Sequence, residues 1–161
     1  YDAWGPLAMT MFFVIGLIGG CSGSTACSVK VFRYQLLFSA VAAEVRRLHS
    51  PHRVFTARYQ GRTVSREVMN SVMAFFMFFF LSLAITAVLL VMLGVAPITA
   101  ISGAAATLGN IGPGLGDEIG PAGNYAGLSD AAKGVLATAM LVGRLEVRSI
   151  FVIFTAMFWR T

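Results

Sequence analysis

One stretch of the chain stands apart in its pattern of apolar and polar positions. From Val72 to Val95, VMAFFMFFFLSLAITAVLLVMLGV, it carries no charge. About 20 helical residues cross a ~30 Å hydrocarbon core, so this run predicts a membrane-spanning helix. Two other helical segments are apolar but broken by charge. SVKVFRYQLLFSAVAAEVRRLH, residues 28–49, has charges at both ends around a short apolar middle. KGVLATAMLVGRLEVRSIFVIFTAMFWR, residues 133–160, is long enough to cross but holds Arg144, Glu146 and Arg148 within it. Charges in such helices face protein or water rather than lipid, so both helices are expected to line something.

Shorter apolar pieces lie between these helices. In APITAISGAAATLGNIGPGLG, residues 96–116, a weakly helical stretch runs into a Gly/Pro series. A stretch of roughly 10–14 residues is too short to cross and fits a segment that dips into the membrane and returns. Non-helical backbone at that depth is tolerated only where it is buried in protein or lines water, so TLGNIGPG, residues 107–114, is expected to line a cavity or pore. The start of the chain repeats the arrangement: GPLAMTMFFVIGLIG (5–19) is a short apolar helix and GCSGSTA (20–26) a glycine-rich return. The sequence therefore reads as half a unit, re-entrant segment and helix, followed by a whole one of helix, re-entrant segment and helix.

Charge orients the helices. Arg46, Arg47, Arg53, Arg58, Arg62 and Arg66 face only Glu44 and Glu67 in EVRRLHSPHRVFTARYQGRTVSREV, residues 44–68, which the positive-inside rule assigns to the cytoplasm. Its centre alternates apolar and polar residues around Gln60-Gly61, a hairpin signal. By contrast GLGDEIGPAGNYAGLSDAAKG, residues 114–134, sets Asp117, Glu118 and Asp130 against Lys133, and is expected outside. The long helix then starts inside at Met69 and ends outside near Gly94, and the last helix returns from Lys133 to Arg160.

Composition agrees with a membrane solvent. Of 161 residues 57% are hydrophobic and 12% charged, with a mean hydropathy of +0.78, where soluble domains carry roughly 25% charged residues. The net charge of +5 lacks the aromatic and basic interleaving of RNA-binding surfaces, which argues against a nucleic-acid partner. Cys21 and Cys27 have no second cysteine pair with which to complete a zinc site. His49 and His52, separated by Pro51 and flanked by arginines, read as a solvated loop rather than a metal pair. No paired carboxylates or other catalytic constellation appears, so no enzyme is expected. The opening YDAWGPLAMT, without Met or a basic leader, suggests a piece of a longer protein.

GGCSGSTACSVK, residues 19–30, raises three chemistries. A phosphate-binding loop needs Gly-Lys-Ser/Thr opening a helix after a strand, whereas Lys30 stands between Val29 and Val31. A redox pair needs an exposed thiol of low pKa, and small-residue packing explains Cys21 and Cys27 better. Glycine lets the chain adopt turns whose carbonyls face one axis, and rings of carbonyls can replace an ion's hydration shell. The alternative to such an ion site is a tightly packed glycine-rich helix break without ligand. Recurrence of the pattern with the same flanks favours the ion site.

Taken together, GGCSGSTACSVKVFR with its basic loop, ATLGNIGPGLG and MLVGRLEVRSIFVIFTAMFWR resemble the C-terminal part of the membrane subunit of the Trk/Ktr/HKT superfamily of potassium transporters. The resemblance runs over essentially the whole chain. It implies an all-α membrane protein, built as potassium-channel-like M1–P–M2 repeats with re-entrant pore loops, four to a polypeptide around one pore. Residues 1–49 would then be the pore helix, filter strand and M2 of the third repeat, and 50–68 a basic cytoplasmic loop with a hairpin. Residues 69–161 would be M1, pore loop and M2 of the fourth.

Residue by residue, the third filter strand resembles Cys21, Ser22, Gly23, Ser24 and Thr25, and the fourth Asn110, Ile111, Gly112, Pro113 and Gly114. Gly23 and Gly112 match the single glycine that the family keeps per repeat. These strands are looser than the TVGYG of potassium channels and imply a less stringent filter. A small-residue break beneath the filter acts as the family's gate; here Ala26-Cys27-Ser28 stand where many members have three glycines. Arg144 in GRLE matches an arginine pointing into the pore below the filter, where it either bonds the break near Ala26 to Ser28 or raises a charge barrier to cations. The resemblance further implies K⁺ as the transported ion, held by filter carbonyls, and no organic cofactor. Expected partners are the remaining repeats, a cytoplasmic nucleotide-binding regulatory subunit, the lipid bilayer and a second copy in a homodimer. The expected location is the bacterial inner membrane, with several passes. Two other readings stand beside this one: an ion-coupled secondary transporter with broken helices, and a membrane interaction segment that conducts nothing in isolation.

Overall fold

The computed structural model describes residues 4–21, 27–49, 58–59, 61–116 and 118–144. Its elements in chain order are α1 (Pro6–Leu17), α2 (Val31–His49), β1 (Arg58–Tyr59), β2 (Arg62–Thr63), α3 (Arg66–Met92), α4 (Pro97–Leu108) and α5 (Asp130–Arg144), with a turn of 3-10 helix at Tyr125–Gly127.

The two short apolar segments fold alike. Each of α1 and α4 has 12 residues with proline in its first turn, where the missing N–H costs nothing and the fixed φ suits a helix. Each is about 18 Å long at 1.5 Å per residue, well short of a ~30 Å hydrocarbon core. The helix α3, with 27 residues, is long and apolar enough to cross. It opens at Ser65, whose side chain accepts from the Val68 N–H, and stops at Leu93 before Gly94, which has φ +86°.

These helices pack around α4. Every residue of α4 from Thr99 to Leu108 except Ile101 is buried, and α3 and α5 flank it on either side. Ala87, Leu90, Ala100, Ala104, Ala132 and Leu136 form the core between the three helices. Small residues let the backbones come close, the usual means of holding helices together in a membrane. Three hydroxyls on α3 and α4 are satisfied within their own helices: Ser82, Thr86 and Thr107 donate to the Phe78, Ser82 and Gly103 carbonyls, at 2.8, 2.8 and 2.7 Å.

A second core joins α2 to the first half of α3 through Leu36, Val72, Phe75, Phe76 and Phe79. Tyr34 meets Phe76 edge to face, with ring centroids 5.4 Å apart. Arg33, one of the charges that broke the apolar pattern, does not interrupt α2, because its guanidinium lies 3.7 Å from the Phe75 ring centroid. Stacking on an aromatic face gives a cation a partner where water is scarce. Beside α2, β1 and β2 form an antiparallel ladder, Arg58 opposite Thr63 and Tyr59 opposite Arg62. Gly61, at φ +79°, supplies the left-handed turn residue. Tyr59 and Val64 pack the hairpin onto the same core.

Candidate functional site

After α4 the chain turns back along the helix it has just left. The amides of Gly109, Asn110 and Ile111 donate to the Ala105, Thr107 and Ala106 carbonyls at 2.9, 3.0 and 2.9 Å, and Gly114 N–H to the Ile119 carbonyl at 2.7 Å. Ser102 on α4 clamps the return, its hydroxyl accepting from Leu115 N–H at 3.0 Å. Ile119, 2% exposed, sits against Gly103 and Gly114, where a Cβ would crowd its side chain. These amides are thus engaged on the protein side. Among the described residues, no hydrogen bond falls on the carbonyl oxygens of Asn110, Ile111 or Pro113.

Backbone shape follows residue type here. Asn110 takes a positive φ of 49° and Gly112 one of 109°; asparagine tolerates the first and glycine the second. The Asn110 side chain ties the strand to α5, donating from Nδ2 to the Met140 carbonyl at 3.1 Å. The Tyr125 hydroxyl donates to the carbonyl of Gly112.

The first re-entrant segment meets the second at Ser28, which is 4% exposed. Its Oγ lies 2.9 Å from the Gly16 carbonyl at the end of α1 and 3.4 Å from the Gly109 carbonyl at the end of α4. Two helix C-termini therefore converge on one residue, and each carries roughly half a negative charge, favourable to a nearby cation. The chain on either side of the break runs side by side: Gly19 N–H donates to Val29 O at 2.8 Å and Val31 N–H to Gly20 O at 3.2 Å. The Ile111 side chain bridges the two segments, its Cδ1 lying where a Cβ on either Gly16 or Gly109 would come within 3.0 Å of it.

Asn110, Ile111, Gly112, Pro113 and Gly114 thus lie on one return strand, with Ser28 at its base. Cys21 is exposed at the start of the other return. Ser22, Gly23, Ser24, Thr25 and Ala26 lie outside the described residues, as do His52, Asp117, Glu146 and Arg148. Cys27 and Arg144 meet, Nη1 to Sγ, at 3.4 Å, so the end of α5 touches the break before α2. Among the described residues no group of three or more His, Cys, Asp or Glu side chains is placed to hold a metal.

Sequence reasoning missed Tyr125, Ser102, Ile119 and Gly143. Gly143 is buried against the Leu108 carbonyl so closely that a Cβ would collide with it. Ile119, the one large apolar residue between Leu115 and Tyr125, was itself the available signal.

A family model described as a cation transport protein, TrkH, matches residues 1–161. The chain is 46% identical over 160 residues to the Trk system potassium uptake protein TrkI of Halomonas elongata, covering 99% of this chain and 32% of that protein. It is 34% identical over 157 residues to the Trk system potassium uptake protein TrkH of Escherichia coli, covering 98% of this chain and 32% of that one. The crystal structure of the potassium transporter TrkH from Vibrio parahaemolyticus superposes with a TM-score of 0.88 at 35% identity, over 98% of this chain and 33% of that chain. The chain spans about a third of the length of the curated relatives that it matches.

Proposed function

The chain belongs to the TrkH family of cation transport proteins, and on that premise we propose that it contributes two of the four filter strands of a potassium uptake pathway. Repeats elsewhere in the polypeptide supply the other two. One strand is Asn110–Gly114, the other Cys21–Thr25, with Gly23 and Gly112 at their centres. Potassium passes between them, stripped of water and held by backbone carbonyls. Below the filter, Ala26, Cys27 and Ser28 with Arg144 form the gate. The arginine-rich hairpin faces the cytoplasm and meets a nucleotide-binding regulatory subunit. The assembly is a homodimer in the bacterial inner membrane.

The observation that supports this reading most directly is the return strand itself. Its amides at Asn110, Ile111 and Gly114 are taken up by α4 and by Ile119, its carbonyls at Asn110, Ile111 and Pro113 accept nothing among the described residues, and two helix C-termini end at its base. A strand with these three donors turned into the protein and those carbonyls left open offers oxygen to an ion, the chemistry that replaces a hydration shell. No step makes or breaks a covalent bond.

The test is Gly112→Ser in the full-length protein, read as the K⁺/Na⁺ permeability ratio from reversal potentials under biionic conditions. A φ of 109° is one that side chains avoid, so the serine rotates the peptide and the ratio falls. An unchanged ratio in a protein that takes up rubidium removes Gly112 from the filter.

A further inference from the structure

The peptide between Gly112 and Pro113 has one handle. Proline has no N–H, so a protein group can hold this peptide by hydrogen bonding only through the Gly112 carbonyl oxygen. The Tyr125 hydroxyl holds that oxygen. No neighbour stands where a side chain on Gly112 would lie, for a Cβ there would find nothing within 4 Å. On the Tyr125 side lies a cavity of about 300 Å³ lined by Ala106, Thr107, Gly112, Tyr125, Leu136 and Met140 among others. Glycine at φ 109° adds no barrier of its own to rotation. At the centre of the strand, then, a glycine with no side-chain contacts of its own stands beside a cavity, its carbonyl held by one phenol.

Tyr125 is in turn well fixed. Asn124 caps the turn that carries it, accepting from Ala126 N–H at 2.9 Å, and Leu128 N–H donates to the Tyr125 carbonyl at 3.3 Å. Its ring packs against the core shared by α3, α4 and α5. The hydroxyl therefore reaches the strand from a support that three packed helices hold in place.

We infer that Tyr125 is a positioning residue for the filter: its hydroxyl fixes the direction and strength of the Gly112 carbonyl and so sets how well this strand distinguishes potassium from sodium. The inference rests on the filter reading given above. A carbonyl oxygen has two lone pairs, and the phenol occupies one while leaving the other to an ion. Without the phenol the carbonyl tilts about the Gly112 torsions, and its oxygen adapts to the smaller ion as readily as to the larger.

Tyr125→Phe removes one oxygen and keeps the ring, its packing and the turn. In the full-length protein this variant lowers the K⁺/Na⁺ permeability ratio by about 3- to 10-fold, the size expected for losing one hydrogen bond on a ligating oxygen. The ratio is read from the reversal potential, which does not depend on how many molecules reach the membrane, so a variant that folds less efficiently still reports. Tyr125→His, which keeps a ring N–H, restores part of the ratio if donation to Gly112 is what matters. Measured beside Gly112→Ser, the outcomes separate. A ratio lowered by Gly112→Ser but untouched by Tyr125→Phe overturns the role of Tyr125 and leaves the filter standing. A ratio untouched by Gly112→Ser overturns the filter reading and the inference with it.

Discussion

The guanidinium of Arg144, at the end of α5, donates to the sulfur of Cys27 across 3.4 Å, joining residues 117 positions apart in the chain. The contact sits just before α2, beside Ser28. Thiol sulfur is a weak acceptor, so the contact by itself holds little, but it places a positive charge at the break.

Replacing Arg144 by alanine in the full-length protein therefore raises potassium flux while assembly stays intact. Two unit charges 4 Å apart in water repel by about 1 kcal/mol, which corresponds to about five-fold in rate. Arg144→Lys keeps the charge and stays near wild type. Flux assays normalised to membrane protein check both. An alanine variant that assembles normally and conducts no faster refutes the barrier, and one that fails to assemble assigns Arg144 to holding the fold.

Ser28 carries a different load. Its hydroxyl lies between the carbonyls of Gly16 and Gly109, 2.9 and 3.4 Å away, at a site 4% exposed. Ser28→Ala leaves those carbonyls without the donor and costs about 1–3 kcal/mol, the usual penalty for an unsatisfied buried group. Ser28→Thr adds a methyl to a break already pressed on Gly19, whose Cβ would lie 2.7 Å from the Ser28 carbonyl. Thermal unfolding in detergent shows whether both variants lose stability. An unchanged midpoint for Ser28→Ala dissolves the bridge between the two re-entrant helices.

The span over Arg66–Met92 was legible in the sequence because the charge-free run from Val72 to Val95 is long enough to cross a bilayer as a helix. The two short helices were legible because proline and glycine bracket apolar stretches too short to cross. The return strand followed from the Gly/Pro series after α4. What stayed hidden is tertiary. Nothing in the local pattern says that Tyr125 turns to meet Gly112, because the intervening Gly/Pro-rich loop has no period to extrapolate. Ser28 read as one small residue among several, since its partners, Gly16 and Gly109, belong to two different re-entrant segments. Arg33 read only as one of the charges at the ends of its helix, because the ring that receives it, Phe75, lies on another. The approach of Arg144 to the Ala26–Ser28 break entered as one alternative beside the family resemblance, and no periodicity pointed to it.

The hairpin offers a test of the regulatory partner. Tyr59 and Val64 anchor it to the core under α2 and α3, so reversing Arg58 and Arg62 to glutamate leaves the ladder in place while inverting the local charge. Co-purification of the nucleotide-binding subunit then falls, and with it the response of transport to nucleotide. If both survive the reversal, the arginines serve only to orient the chain in the membrane.

Two glycines of α5 should respond to alanine with opposite signs. Gly143, in the final turn, is buried against the carbonyl of Leu108, the last residue of α4, and a Cβ there would collide with it. An alanine in a helix is ordinarily the better residue, by about 0.5–1 kcal/mol over glycine. At Gly134, where a Cβ would meet nothing within 4 Å, that preference operates alone, and Gly134→Ala raises the unfolding midpoint. At Gly143 the collision wins: Gly143→Ala pushes α5 off the end of α4 and costs about 1–3 kcal/mol, as overpacked sites do. The displacement also pulls on Asn110, whose side chain bonds the Met140 carbonyl at 3.1 Å, about one turn before Gly143. The return strand shifts with it, so the permeability ratio of Gly143→Ala falls alongside its stability. A rise in midpoint for both variants would mean that the backbones of α4 and α5 do not touch at Gly143.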